Sequence, residues 1–125
     1  MQQLYFHPTW EKAISELDRT LIETVFEQTY TDTADLIMSP TVRVATNYKN
    51  ELLIMVLVHN FTHHSTRFNN RLVYAHCGDE FDLQKSFTIS DLVVAPFTSM
   101  PWTFIFEPNE AYNTLDLSKF VLEIE

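Results

Sequence analysis

Glycine is almost absent from this chain of 125 residues: Gly78 stands alone. Phosphate-cradling loops, dinucleotide fingerprints and nucleophile elbows need glycine where the backbone turns sharply or approaches a ligand, so a chain this poor in glycine can hardly build them. Cysteine is equally scarce. With Cys77 as the single thiol no intramolecular disulfide can form, and stability must come from packing, as suits a cytosol. Runs of Lys or Arg are missing, and 8 basic residues stand against 17 acidic ones for a formal charge of −9. Such a surface repels a phosphate backbone and offers no handle to anionic lipid. The longest apolar run, from Leu52 to Val58, falls far short of the roughly 20 residues that cross a bilayer. The opening Met-Gln-Gln-Leu-Tyr-Phe-His-Pro has neither the basic start nor the apolar stretch of a secretion signal. The expectation is a cytoplasmic protein with no nucleic-acid partner and no direct membrane insertion.

What the chain does have is large apolar side chains. Ten Phe, five Tyr and two Trp, within a hydrophobic fraction of 46%, supply enough area to offset the entropy of ordering one core. A single domain over 1–125 is expected. Trp10, Ile14, Leu17, Leu21 and Val25 recur at helical spacing with acidic residues between them, which predicts one amphipathic helix over about 9–28, capped by Thr9 with Pro8 just outside. From residue 41 onward the period becomes that of strands. Val42–Thr46, Glu51–Phe61, Phe68–His76, Lys85–Ile89, Leu92–Val94, Met100–Phe106 and Phe120–Ile124 are β-branched or aromatic segments separated by turn-prone clusters such as Asn47–Asn50, Cys77–Asp82 and Ser90-Asp91. The fold class is mainly β (α+β): an N-terminal helix followed by an antiparallel, immunoglobulin-like β-sandwich of about seven strands. Leu52–Val58, apolar on both faces, should be central, with the helix on one side. Asn and Asp are expected to take the left-handed positions that glycine does not fill.

Three groups of residues bear on function. His59, His63 and His64 cluster around a strand end, a spacing that permits a metal site although no Cys or carboxylate lies within the segment. His76-Cys77-Gly78-Asp79-Glu80 places a thiol beside a base and two carboxylates, yet a hairpin turn explains the same residues without chemistry. No cofactor motif accompanies either group. The third is Pro101, Trp102, Phe104 and Phe106. Burial in the core is the default for such rings. The alternative is an aromatic partner-binding floor, with Pro101 on a strand edge that accepts an extended peptide.

The segments Asn50–Thr62 (NELLIMVLVHNFT), Lys85–Ile89 (KSFTI) and Ser99–Phe106 (SMPWTFIF), with Phe6-His7-Pro8-Thr9-Trp10 ahead of them, resemble the SLAP domain of Gram-positive bacteria over about residues 4–124. The resemblance implies a non-enzymatic protein-binding role beside the accessory Sec pathway, whose SecA-type ATPase exports S-layer and related surface proteins. Relatives with two copies of the domain are S-layer assembly proteins, whereas this chain carries one copy. The implied partners are therefore an export ATPase or export substrates, met in the cytoplasm, and the family supplies no catalytic residue or cofactor. Two other readings stay open. One is a small metal- or thiol-dependent enzyme using His59, His63 and His64 or Cys77, and the other is a homodimer paired through a strand edge.

Overall fold

The computed structural model describes residues 2–31 and 35–125. Among these residues, eight strands, two helices and two 3-10 turns follow in the order β1 (Gln3–Leu4), α1 (Pro8–Ala13), α2 (Glu16–Thr29), β2 (Ile37–Met38), β3 (Thr41–Thr46), β4 (Leu52–Asn60), β5 (Thr66–Cys77), β6 (Phe81–Val94), β7 (Thr98–Phe106), the turns Glu110–Asn113 and Leu117–Lys119, and β8 (Phe120–Ile124). One sheet is ordered β1-β7-β4-β2, with β3 also paired to β4, and the other β6-β5-β8. The mainly β, two-sheet sandwich with a helical N-terminus is as the sequence predicts. One ladder departs from the antiparallel rule: β1 runs parallel to β7, Gln3 beside Thr98 and Leu4 beside Ser99. Among the described residues no helix is long and apolar enough to cross a membrane.

β4 is the hub. Leu52, Ile54, Val56 and Val58 face the second sheet, where they meet Val73, Ala75, Phe87, Leu92, Val94, Phe120 and Leu122. Met55 and Leu57 on its other face pack under Ile22, with Trp10, Ile14, Val25 and Phe26 around them. Helices, first sheet and second sheet are thus layered about one doubly buried strand.

The expected single helix over 9–28 is two helices. Ile14 is extended (φ −72°, ψ 138°), and the Ser15 hydroxyl accepts from Asp18 N at 3.1 Å to cap α2. A serine hydroxyl at this position offers the backbone an alternative to continuing the helix. Upstream, the cap is His7 rather than Thr9: its Nδ1 accepts from Thr9 N, and Pro8 occupies the first helical position instead of standing outside it. The break resets the helical phase. Leu17, counted in the apolar stripe from its spacing, is 78% exposed, while Ile22 is fully buried.

Two other expectations need correction. Lys85–Ile89 and Leu92–Val94 belong to one strand, because the register jumps from Arg67 opposite Val93 to Phe68 opposite Ile89 and Ser90-Asp91 lies in a bulge, not a turn. Strands β1 and β2, two residues each, carry no sequence period at all. The left-handed positions include Asn50 and Asn70, as expected, and also Phe97 at φ 54°. Gly78 takes φ 55° in the β5–β6 hairpin, where Glu80 N donates to Cys77 O.

The phase reset predicts opposite outcomes for two neighbouring truncations. Ile22→Ala should lower unfolding free energy by about 3 kcal/mol through lost burial and a residual cavity. Leu17→Ala should change it by less than about 0.5 kcal/mol. Urea denaturation of both variants checks the pair.

Candidate functional site

The three histidines do not converge. His59 is buried completely, on the helix-facing side of β4. Its Nε2 lies 2.7 Å from Thr29 Oγ1 and its Nδ1 2.6 Å from Ser99 Oγ, so both ring nitrogens are engaged. His63 is exposed and packs edge-on against Phe97, and His64 is exposed as well, its backbone carbonyl accepting from Asn60 Nδ2. Among the described residues no group of three His, Cys, Asp or Glu side chains could hold a metal ion.

The thiol turn does not assemble either. Cys77 points into the intersheet core, Sγ 3.5 Å from Asp116 O, and burial pushes its thiol up from the ordinary range. His76, its neighbour in sequence, points to the other face of β5 and pairs instead with Asp82 at 2.8 Å. A thiol kept protonated and out of reach of its base is a poor nucleophile.

On β7 the four aromatic-strand residues divide. Phe104 and Phe106 are buried between the sheets, edge-on to Phe87. Pro101 is buried beneath the helical layer. Trp102 is half-buried at the sheet margin, its ring 6.2 Å from Trp10 and 5.9 Å from His7. Beside Trp10, a groove of about 350 Å3 opens at the α1–α2 break, lined by Thr9, Trp10, Ala13, Ile14, Ser15 and Asp18.

Hydrogen-bond parity gives this strand its interest. Leu57 sits opposite Pro101 and sends its N–H the other way, to Pro40 O, so the pair is not hydrogen-bonded and Pro101 directs its own nitrogen away from β4. Residues 101, 103 and 105 therefore present their backbone groups to the outer edge, and the proline's missing N–H costs the β4 ladder nothing. β1 occupies that edge only as far as Ser99, through Gln3 N to Phe97 O and Tyr5 N to Ser99 O. Beyond it Lys85 Nζ covers Ile105 O, while among the described residues the Thr103 N–H and C=O have no hydrogen-bond partner. The other edges are less open. Ser39 and Thr41 hydroxyls donate to Leu122 O and Phe120 O along β8. β6 carries Asp82, Lys85 and Asp91, charges of the kind that blunt an edge.

Beneath β1 lies a polar cluster that the sequence did not announce. Gln2 Nε2 donates to Ser99 Oγ (2.9 Å) and to Asn60 O (3.2 Å), and Thr29 Oγ1 donates to Val25 O (2.6 Å). With its proton committed to Val25, Thr29 accepts from His59 Nε2–H, which leaves His59 Nδ1 to accept the Ser99 hydroxyl proton. The imidazole is thereby held neutral in one tautomer. The signal available beforehand was an ionisable residue at the end of an apolar strand.

Burial pushes the His59 imidazole down to about 4 from its ordinary 6.5. Because the unfolded chain takes up this proton first, stability is full above pH 6.5 and declines as pH falls toward 4, by at most about 3 kcal/mol from this group. Urea unfolding at pH 7 and pH 4 should show a smaller acid loss for His59→Gln than for the wild type, the carboxylates contributing equally to both.

Comparison with curated proteins and with solved structures returned no match. A family model described as the SLAP domain matches residues 4–125, a span that includes both helices and strands β2 to β8. This chain belongs to the SLAP domain family.

Proposed function

We propose that this domain is a non-enzymatic protein-binding module of accessory Sec-dependent export and S-layer or cell-envelope assembly, working on the cytoplasmic side, and that it binds an extended segment of its partner at the outer edge of β7. Membership of the SLAP family, an S-layer-associated domain, supports the setting. The observation that carries the binding mode is the backbone of Thr103, unpaired among the described residues on its outer side between Pro101 and Ile105 and flanked by Trp102, Trp10 and His7. An added strand gains main-chain hydrogen bonds there, and the two indoles supply a flat apolar wall for alternate side chains. Phe104 and Phe106 act indirectly, by fixing the strand from inside. The partner is an export ATPase or an unfolded export substrate.

Thr103→Pro tests the mode. It removes the outward N–H and leaves the β4–β7 ladder whole, as Pro101 already does. Tagged wild-type protein should retain an export ATPase or unfolded surface proteins from host cytosol. Thr103→Pro and Trp102→Ala should retain at least about tenfold less while keeping their thermal transition, consistent with the few kcal/mol that main-chain and aromatic contacts contribute. Equal retention by Thr103→Pro would rule out strand addition at this edge. If neither class of partner is retained by the wild type, the export role fails. A dimer of wild type that Thr103→Pro dissolves would assign the edge to a second copy instead.

A further inference from the structure

We propose that residues 2–5 form an acid-released strap: protonation of His59 breaks the hydrogen-bond chain that ends on Gln2, and β1 then leaves β7, freeing the edge back to Phe97. The inference concerns the free protein and does not depend on what binds the edge.

The chain runs in one direction: Gln2 Nε2 to Ser99 Oγ, Ser99 hydroxyl to His59 Nδ1, His59 Nε2 to Thr29 Oγ1, and Thr29 hydroxyl to Val25 O. A second proton on the imidazole puts an N–H where an acceptor is required. Ser99 must then turn its oxygen toward Nδ1 while Gln2 already donates to that same oxygen, and the Ser99 proton loses Nδ1 as its acceptor. A buried charge and an orphaned hydroxyl together are costly. Gln2 is the part of this arrangement that can yield. It is 7% exposed, it adjoins a strand of only two residues, and its departure lets water reach Ser99 and the ring. The strap is otherwise held to β7 by a parallel ladder only two residues long and by the side chains of Leu4 and Phe6, whereas β4 and β7 share a continuous ladder from Leu52 to Asn60.

Among the described residues no other ionisable side chain packs against the imidazole. The rings of Phe26 and Phe61 pack on the imidazole, and Met38 of β2 is its ladder neighbour. β2, β4 and β7 contain no further charged residue, and the strap adds only Tyr5, which is 50% exposed. On α2, Glu16, Glu23 and Glu27 face solvent, while Asp18 and Arg19 pair with Arg43 and Glu11.

If His59 regains its ordinary value of 6.5 once the strap is open, against about 4 when closed, the opening constant rises by up to roughly 70-fold between pH 7.5 and pH 4.5. Amide hydrogen exchange on the whole domain without a partner, corrected for intrinsic pH dependence, reads this directly. Protection of the Gln3 and Tyr5 amides should fall more than tenfold at pH 4.5 while the Trp102 and Phe104 amides, bonded to β4, keep theirs. Gln2→Ala, which leaves His59 in place, should lower strap protection already at pH 7.5. The proposal is overturned if Gln3 and Tyr5 stay equally protected at both pH values, if they lose protection in step with Phe104, or if Gln2→Ala leaves them protected.

Discussion

A strand that is apolar on both faces cannot lie on any surface, and β4 imposes this constraint on everything else. Leu52, Ile54, Val56, Leu57 and Val58 are all fully buried, and each such side chain is worth about 1.5–3 kcal/mol of transfer free energy only if both sides of the sheet are covered. The second sheet covers one side and the two helices the other. Because β7 is the neighbour that pairs with β4 along its whole length, the position of the candidate binding strand follows from the same requirement. The free edge of β7 is in turn the far side of a ladder that the core cannot do without.

Much of this frame was legible because it rests on period and composition. The run from Leu52 to Val58 marked the centre, whereas the Phe104 and Phe106 rings also read as a binding floor, with burial only the default. The parts that were not legible depended on single polar atoms. Ser15 ends α1 and starts α2 with one hydroxyl, and the consequent phase shift moved Leu17 outward and Ile22 inward. Serine three residues before Asp18 is a capping signature, but it lay inside an unbroken apolar spacing that pointed the other way. β1 and β2 are too short for any period to register, and they form because β7 and β4 offer edges.

The site was harder still to read, since its geometry joins residues far apart in sequence. His59 was singled out for its neighbours His63 and His64, yet its partners are Thr29 and Ser99, 30 and 40 residues away, and Gln2 lies beyond them. Each of these polar groups is unremarkable alone. Together they satisfy one another in a single register, so a shift of β1 or α2 by one residue would strand a buried hydrogen bond. Asn60 does the same at the strand end, where its amide donates to the carbonyls of His64, Val94 and Ala95 and ties two loops together.

The burial of Cys77 gives the molecule a built-in clock. Cys77 is 1% exposed in the native fold and carries the only thiol in the chain. A thiol reagent in solution can reach it when the sandwich opens and not before, so the rate of alkylation counts openings of the core directly. For the same reason a cysteine placed at an exposed position such as Tyr48 would carry a label alone, with no need to remove the native one.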